Sequence, residues 1–119
     1  MTEAELTSAV LELLDVLGWI AVHTRAARTA HGWRTPLQGP SSRGWPDIAA
    51  VKGNRFLVAE LKVGKNRATP EQMHWLVALA GSGAEAFIWT EHDWTAGEIE
   101  RVLRRREPGR RHAEVELVS

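Results

Sequence analysis

Three charged side chains, Asp47, Glu60 and Lys62, fall inside the run GWPDIAAVKGNRFLVAELKVGK, Gly44 to Lys65, which otherwise reads as the interior of a sheet. Two carboxylates brought together in a half-buried setting repel unless a cation sits between them. The chain has no cysteine, so thiolate ligands are excluded. The hard cations that suit oxygen ligands are Mg²⁺ and Mn²⁺. A lysine ammonium beside such a pair can orient a water, lower its pKa, or stabilise charge building on a phosphoryl oxygen. Acid, acid and base around a metal fit hydrolysis of a phosphodiester.

The elements that must position these groups are two strands and a tight turn. Side chains alternate across a strand, so Phe56, Val58, Glu60 and Lys62 share one face while Leu57, Ala59, Leu61 and Val63 share the other. The segment DIAAV, Asp47 to Val51, pairs with this strand through a turn at Lys52 to Arg55. Centring that hairpin between Gly53 and Asn54 sets Asp47 opposite Glu60.

Around the hairpin, Leu6, Val10, Leu13, Leu14 and Leu17 recur at helical spacing, with Thr2 as N-cap and Gly18 as the stop. WIAVHT, Trp19 to Thr24, reads as a short strand. No period survives through residues 25–44, which read as a long basic loop, and loops of that length in compact domains are usually functional. TPEQMHWLVALAGSG reads as a helix with Thr69 as cap, Pro70 in the first turn, a Thr69–Gln72 capping box and Gly81 or Gly83 at its end. AEAFIWT is a further strand, TAGEIERVLRRR a final helix, and AEVELV an edge strand. The order implies an α/β fold, a small mixed β-sheet flanked by helices.

With 119 residues, 44% of them hydrophobic, the chain has material for one core, so residues 1–119 form a single domain. An acidic N-terminus and the lack of any long apolar run predict a soluble, intracellular protein without a membrane partner. Lys plus Arg and Asp plus Glu each number 15, which removes the argument from net charge to nucleic acid. Distribution carries more: basic residues gather from His23 to Arg43 and again from Arg101 to Arg111.

Written as Pro46-Asp47, twelve residues, then Glu60-Leu61-Lys62, the pattern resembles the PD-(D/E)XK nuclease signature. The ordered blocks GWPD, AELK, TPEQMHWL and GAEAFIWT followed by DW resemble the VRR-NUC branch of that superfamily. The first helix running into GWIAVHT and GWRTP is similar to phage-encoded members, and the likeness extends through Leu103.

The resemblance implies a restriction-endonuclease-like core with Mg²⁺ or Mn²⁺ at the acidic pair. Asp47, Glu60 and the Leu61 carbonyl would be metal ligands, and Lys62 would position the attacking water. Gln72 matches the glutamine that follows the motif on the next helix in this branch and, by that resemblance, would reach back to the site as a further catalytic residue. An acid from the first helix often joins such sites; at about 100° per residue, Glu3 lies in the sector of Leu6, Val10 and Leu13 while Glu5 turns outward, so Glu3 is favoured. The implied activity is that of a structure-specific DNA endonuclease acting on junctions or flaps in phage replication, repair or recombination. The protein would be a homodimer in the cytoplasm of the host cell.

Competing roles bear on several of these residues. The capping box explains Gln72 without catalysis, and Glu3 favours the helix dipole wherever its side chain ends. Trp19, Trp75 and Trp89 sit in apolar elements and read as core, whereas Trp33 and Trp45 are candidates for substrate contact. His23 and His31 lack the further ligands that zinc requires. Arg25, Arg28, Arg34 and Arg43, with Lys65 and Arg67, are the candidate phosphate contacts; Arg104 to Arg106 end a helix, where cations offset its dipole. Two rival classes remain beside the nuclease: a nucleic-acid-binding module that does no chemistry, and an interaction subunit of the same fold.

Overall fold

A computed structural model describes residues 1–24, 27–29, 32–34, 37–106 and 116–117, with backbone alone for 27–29, 32–34 and 116–117. The chain opens with helix α1, Glu3–Val16, started by a reciprocal capping box in which Thr2 accepts from Glu5 N–H and Glu5 accepts from Thr2 N–H. Leu6, Val10 and Leu14 bury one stripe of α1, and Leu13 is only partly buried.

Strand β1, Ile20–His23, pairs antiparallel with β4, Ile48–Lys52, which pairs antiparallel with β5, Arg55–Lys62. Between β1 and β4 the segment expected to be one long loop contains two short strands. These are β2, Ala27–Thr29, and β3, Gly32–Arg34, paired antiparallel as a separate two-stranded sheet. Triplets this short carry too little alternation to register as strands in sequence.

The β4–β5 hairpin has the expected register. Ile48 faces Ala59 and Lys52 faces Arg55, across a two-residue turn in which Gly53 takes φ +59 and Asn54 does not adopt positive φ. That glycine-first arrangement belongs to II′ hairpins.

Helix α2, Pro70–Gly81, follows with the predicted Thr69–Gln72 capping box and carries the chain to β6, Glu85–Thr90. Strand β6 runs parallel to β5, as a helical crossover requires. An additional short helix, α3, Glu91–Thr95, comes next, and the final helix expected over Thr95 to Arg106 is the shorter α4, Glu98–Leu103, set off from α3 at Gly97 with φ +78. Strand β7, Glu116–Leu117, lies parallel to β6 at the edge. The main sheet is therefore mixed, in the order β1-β4-β5-β6-β7.

Its two faces hold different layers. Leu57, Ala59 and Leu61 of β5 pack with α1, α4, Trp19, Phe87 and Trp89, while Val58 packs with Ala86 and with Leu76 and Ala80 of α2. None of the described helices is long and apolar enough to cross a membrane.

One polar pair is buried in this frame. Arg55 donates twice to Glu85, at 2.8 and 2.7 Å, and once to the carbonyl of Arg105 at 2.8 Å. Its guanidinium also lies 4.8 Å from the ring centre of Trp19, whose indole N–H reaches the Leu103 carbonyl. Sequence reading assigns Arg55 to the tight turn; the structure buries it and makes it the tie between the starts of β5 and β6 and the end of α4.

Candidate active site

Asp47 stands immediately before β4, and the hairpin register brings it to the level of Glu60 on β5. The backbone N–H of Asp47 donates to Glu60 Oε1 at 3.1 Å, and Asp47 Oδ2 accepts from Leu61 N–H at 2.9 Å. The two acids therefore hold one another's segments in place. Lys62, two residues along the same face, puts Nζ 3.8 Å from Glu60 Oε2.

Glu60 is fully buried, and its Oε2 has no hydrogen-bond partner; the Lys62 ammonium is an ion-pair neighbour beyond hydrogen-bond reach. Burial pushes the Glu60 carboxyl up to about 8, the neighbouring Asp47 charge pushes the same way, and Lys62 opposes both. This is a donor set short of positive charge. The carboxylate oxygens of Asp47 and Glu60 could hold a hard divalent cation.

Glu3 lines a cavity of about 520 Å³ together with Thr7, Ser8, His23 and Asp47. Among the described residues no three His, Asp or Glu side chains gather as a metal centre, so Glu3 shares a cavity with Asp47 without completing a three-acid set. Glu5 is occupied by the cap of α1. His23 reaches this cavity because β1 pairs it with Ile48, next to Asp47; only the strand register, which joins positions distant in sequence, could have pointed to it.

Gln72 spends Oε1 on Thr69 N–H at 2.9 Å, the capping role open to it from sequence. Lys65 and Arg67 are exposed on the connection between β5 and α2, and Arg43 is exposed on the segment before Asp47. Arg28 and Arg34 have backbone positions on β2 and β3, where Ala27 faces Arg34 and Arg28 faces Trp33. Arg25 lies outside the described residues, as does His31.

The segment leading into Asp47 is pinned. Gly44 adopts φ +86, and a Cβ there would stand 2.5 Å from the Glu71 carbonyl carbon and oxygen and 2.7 Å from Gln72 N. Only glycine allows so close an approach of the segment to the first turn of α2. Next to it Trp45 meets Trp75 edge to face, with ring centres 5.0 Å apart and planes at 82°. Trp75 was expected in the core; it is half-buried, donates to the Ser41 carbonyl at 2.7 Å, and lines a cavity. Trp19 and Trp89 are buried as expected.

Compared with protein-family models, with curated proteins and with solved structures, the chain finds no match.

Proposed function

We propose that the protein is a divalent-metal-dependent nuclease of the PD-(D/E)XK superfamily, VRR-NUC branch, that hydrolyses DNA phosphodiester bonds. The observation that carries the reading is the convergence of Asp47, Glu60 and Lys62, with Glu60 Oε2 buried and without a hydrogen-bond partner. A structural ion pair would satisfy its own oxygens; this group leaves one unsatisfied between an acid and a lysine.

When bound, Mg²⁺ or Mn²⁺ would supply the missing positive charge and polarise a phosphoryl oxygen. The chain's own residues have distinct tasks. Asp47 is oriented by Leu61 N–H, which aims its other oxygen without a search over rotamers. Glu60 holds Lys62 close by, so that the ammonium stands ready to orient water and offset charge on the phosphate. Exposed Arg43, Lys65 and Arg67 would serve as phosphate contacts.

The substrate assigned by this reading is branched or duplex DNA, gripped by a homodimer because one core of this size offers little surface to a duplex. Ile20 and Val22 of the edge strand β1, with Val51 beside them, are exposed and give such a pairing an apolar surface.

The experiment is a cleavage panel of single-stranded, duplex, flap and four-way substrates with Mg²⁺ or Mn²⁺. Asp47→Asn keeps an acceptor for Leu61 N–H and removes the charge, and Lys62→Ala removes the ammonium. Each is expected to lower cleavage by about 10²-fold or more. Absence of cleavage on every substrate, or a Lys62→Ala protein as active as the parent, ends the proposal.

A further inference from the structure

Two cavities meet on the segment before Asp47. The first, about 390 Å³, is lined by Leu37, Pro40, Trp45 and Trp75 among others. The second, about 550 Å³, shares Pro40, Ser41, Ser42 and Trp75 with it and adds Arg43, Glu71 and His74. An apolar, aromatic chamber thus adjoins a more polar one that carries an exposed arginine. Trp45 and Trp75 are half-buried, so ring surface stays available at the chamber wall.

We infer that this double cavity binds an unpaired nucleotide, its base against the Trp45 and Trp75 walls and its phosphate toward Arg43. Three observations support that occupant. Every base has a π-face that stacks on aromatic rings whatever its sequence, which suits a chamber with few polar lining groups. The charge follows the shape of a nucleotide, since the chamber for the base is apolar and Arg43 lines the adjoining one, where it attracts a phosphate and offsets the repulsion from Glu71. Finally, the site is preformed. The contact of Gly44 with the Glu71 backbone and the Trp75 to Ser41 hydrogen bond lock the segment onto α2, so little ordering remains to be done on binding.

The inference deepens the nuclease reading and rests on it for the choice of a nucleic acid as ligand. Trp45 precedes Asp47 by two residues, a reach of at most about 7 Å, so a base held here brings its own strand to the acidic pair. That selects DNA with an unpaired nucleotide beside the cut, such as a flap or a frayed end, over continuous duplex.

The test is a binding measurement in chelator, where no cleavage occurs. A six-nucleotide DNA strand and a strand of six abasic sugar phosphates, equal in charge, each displace a common fluorescent strand followed by anisotropy. The base-containing strand is expected to compete about 5- to 150-fold better, the range of one stacked base. Trp45→Leu should bring the two strands within about twofold, and Trp45→Phe, which keeps a ring, should preserve most of the preference. Equal competition by the two strands in the unaltered protein overturns the inference, whatever the variants do. So do an undiminished preference in Trp45→Leu and a failure of the base-containing strand to displace the probe. Cleavage without base preference removes this inference and leaves the nuclease standing; base preference without cleavage on any substrate does the reverse.

Discussion

Asp47 and Glu60 are joined by a hydrogen bond from the backbone N–H of the first to Oε1 of the second, while Glu60 Oε2 is buried without a hydrogen-bond partner and has the Lys62 ammonium as its ion-pair neighbour. Burial, with the Asp47 charge beside it, holds this acid far from its ordinary titration range, at about 8 against 4.5, although the hydrogen bond from the Asp47 backbone and Lys62 pull the other way. Across that window the folded protein keeps a proton on Glu60 that the unfolded chain gives up. The folded state therefore binds more protons, and stability falls as pH rises from about 4.5 to about 8.

In chelator, urea denaturation of the parent should show this decline, with a slope of at most about 1.4 kcal/mol per pH unit. Glu60→Gln, neutral at every pH and still able to accept from Asp47 N–H, should flatten the profile and exceed the parent in stability at pH 8. A parent profile that is level or rises between pH 5 and pH 8 would contradict the burial argument.

Arg55 and Glu85 make the opposite case, a buried pair whose charges satisfy each other at 2.7 and 2.8 Å. Removing one partner strands the other. Arg55→Met should cost about 3–5 kcal/mol in urea denaturation, whereas Arg55→Met combined with Glu85→Met should recover at least half of that loss. If the single variant loses less than about 1 kcal/mol, the pair is not the tie between β5, β6 and α4 that its geometry implies.

Gly44 offers a prediction about the site as well as the fold. Gly44→Ala sets a Cβ against the Glu71 backbone at 2.5 Å and forces a side chain into φ +86. Strain of this kind costs about 1–3 kcal/mol before the clash is added. The segment should shift away from α2, carrying Asp47 with it, so cleavage should fall together with stability. A protein with parent-like melting and parent-like cleavage would show that the close approach is relaxed in solution.

Why some of this was legible in the sequence and some was not follows from the range of each interaction. The Asp47 and Glu60 register was legible because it depends on a short turn and on alternation, both local. The Thr69–Gln72 box was legible for the same reason. Arg55 was not, because its partner lies thirty residues away in sequence and nothing around it in a turn marks burial. Glu5 faces solvent as helical geometry predicts, and its cap to Thr2 is equally local. Trp75 was assigned to the core from the apolarity of α2, yet the cavity it lines is made by a segment with no periodic pattern, so only the folded chain brings its wall into being.

Gln72 separates a local role from a functional one. Its Oε1 accepts from Thr69 N–H and its own N–H returns the bond to Thr69 Oγ1, so a glutamate should serve the cap as well as the native residue does. Gln72→Glu is expected to melt like the parent and to cleave at a comparable rate. Gln72→Ala, which loses half of the box, should cost about 0.5–2 kcal/mol with cleavage by the remaining folded protein little changed. The discriminating result is a Gln72→Glu protein of unaltered stability that no longer cuts. That outcome would mean the amide faces the substrate in the working enzyme, and the side chain would then belong to the site beside Asp47, Glu60 and Lys62 rather than to the helix.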